Sequence, residues 1–242
     1  MSKAPVMIFD NKYTGEDISS KLKRVREQMA QKGATIHLMS SLYDIAWLLN
    51  VRGGDISYVP VVLSYLALSQ DSCIWFLQEE VVTETLKAYL DKNGIQTRPY
   101  DDFYEYVKHI DEKETVLLNT SIVNYRICDS LPDGVKVIDA EDPTVVMKAV
   151  KNEVQLENLR KAHLKDAVAM CKFMYWLKTN IGKIPMTEIS ASDYLASLRA
   201  EQEGFLDLSF ATICGYADHG AIVHYSATEE SDRQLKPESL LL

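Results

Sequence analysis

The sequence predicts an α/β layered domain with a mixed sheet, followed by the opening of an α+β domain. Three observations carry this reading. Strand-like and helix-like stretches alternate up to about Ala140, an acidic segment with a proline follows at 140–144, and beyond it one helical pattern runs through 151–181. Strands separated by helices of this length form a layered sheet, whereas one long helix followed by short strands belongs to a different architecture.

The elements follow in order. Ile18, Leu22, Val25 and Met29 recur at steps of four, three and four, one apolar helical stripe, and Gly33 stands where a left-handed stop is needed. Residues 34–39 read as a strand and 41–49 as a short helix carrying Trp47. Two apolar runs, 59–68 and 73–77, are split by Ser69, Gln70, Asp71 and Ser72, the pattern of a hairpin. Residues 79–91 are helical, with Gly94 as the stop. Further strands are predicted at 95–98, 115–118 and 135–138, with helices at 102–109 and 122–131 between them. Pro143 confines Asp142 to extended geometry, which places a domain boundary between 1–142 and 143–242.

The helix at 151–181 should be about 45 Å long. Its apolar stripe is Leu156, Leu159, His163, Ala167, Met170, Met174, Leu177 and Ile181, and Gly182 and Pro185 end it. Thr187 then caps a second helix, with Glu188 in the first turn where the macrodipole favours an acid. That helix runs to Glu203 and stops at Gly204. Strands are expected at 205–214 and 221–225 around a turn at 215–220, and Leu240, Leu241 and Leu242 open another. Leu206, Phe210, Ile213, Ile222 and Val223 alternate onto one face, an exposed sheet edge unless further strands cover it.

Composition narrows the function. The 242 residues carry 26 basic and 35 acidic side chains, a net charge of −9 that argues against a nucleic-acid backbone as partner. The acids are dispersed, which reads as solubility. No signal-peptide core stands at the N-terminus and no apolar run approaches the ~18 residues of a membrane span. Cys73, Cys128, Cys171 and Cys214 are widely spaced in apolar contexts, as in a reducing compartment, so a cytoplasmic protein is expected.

The common catalytic strings for serine hydrolases, zinc peptidases, phosphate-binding loops and dinucleotide folds are absent. His37 lies in an apolar strand, His109 at a helix C-terminus and His163 on the stripe of the long helix, three structural placements. His219 and His224 are five apart, on opposite faces of a strand, so no two-histidine metal site is expected from them. His224 alone remains a candidate to hydrogen-bond a polarised carbonyl or move a proton.

Four strings together resemble one family. YDIAWLLNVRG (43–53), KAVKNEVQLENLRKAHLKDAVAMC (148–171), TEISASD (187–193) and GAIVHY (220–225) are similar, in order and spacing, to the cytosolic Xaa-Pro aminopeptidases, the aminopeptidase P group of pita-bread metallopeptidases. The resemblance implies a creatinase/aminopeptidase P N-terminal-type domain at 1–142 and the N-terminal part of a pita-bread catalytic domain at 143–242. It implies an enzyme that removes the residue preceding proline from a peptide, using two divalent cations, commonly Mn2+, to activate a bridging water. The family's histidine of the H-Y pair contacts the substrate, a role that carries over to His224.

The family's first metal ligand is an aspartate in an Asp-Ser-Gly string after a strand like Ser239, Leu240, Leu241 and Leu242. No such string occurs here, and Glu229, Glu230 and Asp232 sit in a polar loop. The expectation is therefore an internal segment of a longer enzyme, with no metal ligands of its own, no complete set of catalytic residues, and no turnover alone. The implied partners are proline-containing peptides, a homodimer is admitted, and nucleic acid and membrane are excluded. The competing reading is a metal-free pita-bread-type module that binds peptides or proteins. Prolidase or a creatinase-like hydrolase is disfavoured by the YDIAWLLNVRG and TEISASD strings.

Overall fold

The computed structural model describes residues 2–242. The chain divides into two compact units that meet at Leu156 and Glu157.

The first unit begins with a short strand, β1 (Met7–Ile8), and a single helical turn, α1 (Asn11–Thr14). Helix α2 (Ile18–Lys32) follows. Asp17 accepts the Ser20 N–H at 2.8 Å to cap it, and Gly33, at φ +76°, ends it. Its buried face is Ile18, Leu22, Val25 and Met29, as the spacing predicts. Strand β2 (Ile36–Met39) is buried along its whole length and leads to α3 (Leu42–Leu48). Strand β3 (Val51–Arg52) returns to pair with β1.

Strands β4 (Tyr65–Ser69) and β5 (Cys73–Leu77) form the expected hairpin. The earlier part of the apolar run, 59–64, is not strand. Pro60 has no N–H to give a ladder, and the Asp55 carboxylate takes the Leu63 N–H at 2.7 Å. The helix expected at 79–91 begins as a 3-10 turn (Glu79–Val81) and restarts as α4 (Glu84–Lys92), because Thr83 caps it by accepting the Leu86 N–H. Strand β6 (Gln96–Pro99), helix α5 (Phe103–Lys108), strand β7 (Thr115–Leu118), helix α6 (Tyr125–Ser130) and strand β8 (Lys136–Asp139) complete the alternation.

Six strands form one mixed sheet in the order β6-β5-β4-β2-β7-β8, antiparallel on both sides of β4 and parallel elsewhere. Because successive side chains alternate across a strand, each buried strand feeds two cores. Trp75, Leu66 and Leu68 pack with α2, α3 and α4 on one face. Phe76, Ala67 and Val116 pack with Phe103, Val107 and Ile127 of α5 and α6 on the other.

Helix α7 (Pro143–Ala149) packs on α2 and α3, and Asp142 and Thr144 at its start are buried. The segment at 140–144 therefore lies inside the first compact unit. Compactness changes further along, in the first turn of α8 (Glu153–Asn180).

Only the C-terminal half of α8 is packed. Ala169 and Phe173 are buried, with Met170, Trp176, Leu177 and Ile181 partly so. His163, Ala167 and Met174, expected on a buried stripe, are exposed. The covered face is the one that α9 (Glu188–Ala200) meets, where the Trp176 and Tyr194 rings lie 4.2 Å apart. Cys171 is likewise exposed, contrary to its apolar context in sequence.

The strands expected at 205–214 and 221–225 do not form. That stretch is irregular, apart from a 3-10 turn at Ala217–Ala221. A strand persists only if a partner satisfies its backbone over several residues. Among the described residues of the second unit, pairing is confined to isolated bridges, Thr187 with Gln234 and Tyr216 with Leu241. The final leucines do lie extended: Gly215 and Leu242 exchange both backbone hydrogen bonds at 3.0 Å.

Candidate functional site

The start of α9 organises the chemistry of the second unit. Thr187 accepts the Ser190 N–H at 3.1 Å, and Ser190 accepts the Thr187 N–H at 2.7 Å, a reciprocal capping box. The Asp232 carboxylate adds a third bond, accepting the Ile189 N–H at 3.0 Å. Asp232, read from sequence as part of a polar loop, is thus committed to the helix end.

Directly behind the cap, Glu188 points inward and is fully closed off from solvent. Its Oε1 accepts the Tyr216 N–H at 2.6 Å, and its Oε2 accepts the Tyr225 O–H at 2.8 Å and the Arg233 N–H at 3.2 Å. His219 Nδ1 lies 3.0 Å from Oε1 and 3.1 Å from Oε2. Burial alone would push this carboxyl up. The Tyr216, Tyr225 and His219 donors outweigh it and hold Glu188 below the usual carboxylate range.

The neighbours of His219 settle its tautomer. Arg233 Nη2 stands 3.0 Å from His219 Nε2, and a guanidinium can only donate. Nε2 therefore accepts, and Nδ1 carries the proton that His219 donates to Glu188. Arg233 also pairs with Asp218, which its guanidinium holds below the usual carboxylate range. The His219 ring lies 4.6 Å from that of Tyr225, whose hydroxyl is pushed up by burial and by Glu188.

His224 is not at the end of a strand. It occupies a left-handed backbone position, φ +56°, and its side chain is exposed. For a residue with a Cβ that conformation carries a strain of about 1–2 kcal/mol. The next residue, Tyr225, is buried and anchored. His219 and His224 thus diverge because one turns into the Glu188 cluster and the other out of it. Among the described residues no group of three His, Cys, Asp or Glu side chains could hold a metal ion. The residues present therefore do not fit a dinuclear metal centre.

The other histidines lie away from this cluster, and His163 is exposed on α8. His37 is buried in β2, and His109 stands at the end of α5, with Nδ1 2.7 Å from the Glu105 carbonyl. Sequence reasoning singled out His224 but missed Glu188, Tyr225 and Arg233. The available signal was that TEISASD and GAIVHY each carry a polar side chain with no local partner.

Residues 1–155 match the Creatinase/Prolidase N-terminal domain, and residues 157–242 match Metallopeptidase family M24. An α/β domain followed by the start of a pita-bread fold defines the class. The chain belongs to the creatinase/prolidase N-terminal domain family, joined here to an M24 metallopeptidase segment, and its relatives are Xaa-Pro aminopeptidases.

It is 32% identical, over 98% of its length, to a probable Xaa-Pro aminopeptidase P of Sordaria macrospora. It is 33% identical, over 94%, to Xaa-Pro aminopeptidase 1 of Dictyostelium discoideum. These alignments span 41% and 36% of the two relatives. The crystal structure of X-prolyl aminopeptidase from Caenorhabditis elegans, described as a cytosolic enzyme with a di-nuclear active site, superposes with a TM-score of 0.90. Identity there is 30%, covering 96% of this chain and 39% of that one. An Xaa-Pro dipeptidase from Bacillus anthracis shares the fold at 13% identity and a TM-score of 0.67. Among the described residues, no helix is long and apolar enough to cross a membrane.

Proposed function

We propose that this chain is part of a cytoplasmic, metal-dependent Xaa-Pro aminopeptidase, supplying a domain at 1–142 that precedes catalysis and the start of the catalytic domain at 143–242. The substrate class is peptides with proline in second position. The observation that carries this is the superposition on X-prolyl aminopeptidase over nearly the whole chain at 30% identity.

Two divalent cations, Mn2+ in our reading, would supply an activated water, and the described residues do not hold them. What this chain contributes is substrate contact. In this reading His224 hydrogen-bonds a peptide carbonyl, which its exposure at a turn beside an anchored tyrosine supports. The chain alone is therefore expected to bind such peptides weakly and to hydrolyse none.

The test is incubation with an Ala-Pro-Ala tripeptide and MnCl2, following release of alanine, beside a binding titration. Turnover by the chain alone would overturn the claim of inactivity. Binding unaffected by His224→Ala would overturn the substrate role. The second reading is a metal-free peptide-binding module. It predicts tight rather than weak peptide binding in the same titration.

A further inference from the structure

His224 stands in the left-handed region, which strains a residue with a Cβ, so its surroundings must offset that cost. Its own side chain is exposed and does not do so. The residue sits inside a turn closed by the Tyr225 N–H on the Ile222 carbonyl at 3.3 Å, and the end of that turn is held where the Tyr225 hydroxyl donates to a carboxylate closed off from water.

We propose that Glu188 is a positioning residue for His224, acting through Tyr225. This rests on the reading of His224 as a substrate-contacting side chain. Glu188 accepts the Tyr216 N–H on one side of the turn and the Tyr225 O–H on the other, so a single buried group ties both ends of 216–225. Its place is itself determined by the first turn of α9, where the capping box and Asp232 fix the helix end. Rigid helix geometry is thereby passed to a loop whose own backbone bonds are a bridge at Tyr216 and a series of short turns.

The remaining members serve the same end. Arg233 donates to His219 Nε2, which forces the Nδ1–H toward Glu188 and leaves the imidazole neutral. The His219 ring then lies against the Tyr225 ring at 4.6 Å and limits rotation of the phenol. The Tyr225 hydroxyl also has Ser231 Oγ at 3.3 Å, from which it can accept while its own proton goes to the shorter contact with Glu188. A buried carboxylate with satisfied hydrogen bonds is costly to disturb, which makes it an effective anchor.

Two variants test this. Tyr225→Phe removes one hydroxyl and keeps the ring, while Glu188→Gln keeps the shape but presents two N–H groups where only acceptors are needed. The first is the milder change and guards against failure of the second to fold. One readout is the His224 backbone φ from its HN–Hα coupling, together with the His219 tautomer from long-range 1H–15N spectra of the histidine-labelled chain. The other is the affinity for Ala-Pro-Ala, measured for each variant alone and combined with His224→Ala.

The expected result is that Tyr225→Phe lets the His224 backbone relax out of its left-handed φ. It should also weaken the tripeptide about as much as His224→Ala does, and the double variant should lose nothing more. An independent structural effect would make the two losses multiply. A His224 backbone that keeps its left-handed φ in Tyr225→Phe would overturn the proposal. If the unsubstituted chain does not bind the tripeptide, the substrate reading falls, and the spectra alone still decide whether Glu188 positions His224.

Discussion

His37 Nε2 lies 3.7 Å from Asp142 Oδ1, with both side chains closed off from solvent. The Leu117 carbonyl, 3.0 Å from His37 Nδ1, can only accept, so Nδ1 keeps its proton and Nε2 presents a lone pair to the carboxyl. Neither of the two facing atoms has another hydrogen-bond partner among the described residues. Burial pushes His37 down to about 4, against the Leu117 bond and the charge of Asp44. Burial pushes Asp142 up to about 6, aided by Asp44 and Glu141 and opposed by Lys148. Lys148 is itself drawn to Asp44, 2.9 Å away.

The signs of these two shifts oppose each other. A histidine with a depressed folded pKa loses stability as pH falls from about 6.5 to 4, because the unfolded chain takes the proton more readily. An aspartic acid with a raised one loses stability as pH rises from about 4 to 6. Across that window the pair nearly cancels, one proton residing on His37 in the unfolded chain and on Asp142 in the folded one. Asp142→Asn should unmask His37: denaturant midpoints measured from pH 7 to pH 4 should fall, by up to about 3 kcal/mol in stability. A profile as flat as that of the unsubstituted chain would refute this.

Lys21 offers a second pH handle. Its ammonium is buried, donating to the Trp47 carbonyl at 2.8 Å and to Asn50 Oδ1 at 2.6 Å, above the Trp47 ring. Burial lowers it to about 8, with Glu16 opposing. A lysine with a lowered folded pKa gains stability as pH rises from about 8 to 10.5. Lys21→Met should abolish that rise. It also leaves Trp47 O and Asn50 Oδ1 without their donor, a loss of about 1–3 kcal/mol at pH 7 that thermal unfolding would register.

The second unit should yield first. The first unit has a core on each face of its sheet, whereas the second has one small cluster centred on Phe173, Met186 and Leu195. Native-state hydrogen exchange is expected to protect the amides of β2, β4, β5 and β7 most, and those beyond Glu157 less. Equal protection in the two units would count against it.

The capping box supplies a local check. Thr187→Ala removes the acceptor for the Ser190 N–H and should destabilise the second unit by about 1 kcal/mol. Exchange of the α9 amides should quicken while those of β4 and β5 keep their rates. A variant with unchanged α9 exchange would show that Asp232 alone suffices to hold the helix end.

Where a signal is local, sequence and structure agree. The stripe of α2, the loop between β4 and β5, and the cap at Thr187 depend on residues within a few positions of one another, and each falls where periodicity or side-chain chemistry places it. The long helix shows the limit. Its apolar residues suit several faces, and the meeting with α9 selected the one through Ala169 and Phe173, leaving His163 outside. The strands expected after Gly204 fail for a related reason, since alternation marks a segment able to pair but cannot supply the partner.

The sequence by itself determined the α/β alternation, the mixed-sheet class, the family resemblance and the one histidine worth testing. Those follow from backbone propensity, side-chain period and the order of short strings, all properties of neighbours along the chain. Tertiary structure alone decided that Glu188 gathers Tyr216, His219, Tyr225 and Arg233, and that His37 faces Asp142 in the interior. Both arrangements join residues far apart in sequence. Burial then changes what each group can do, because a carboxyl or imidazole removed from water takes its charge state from the few atoms that face it.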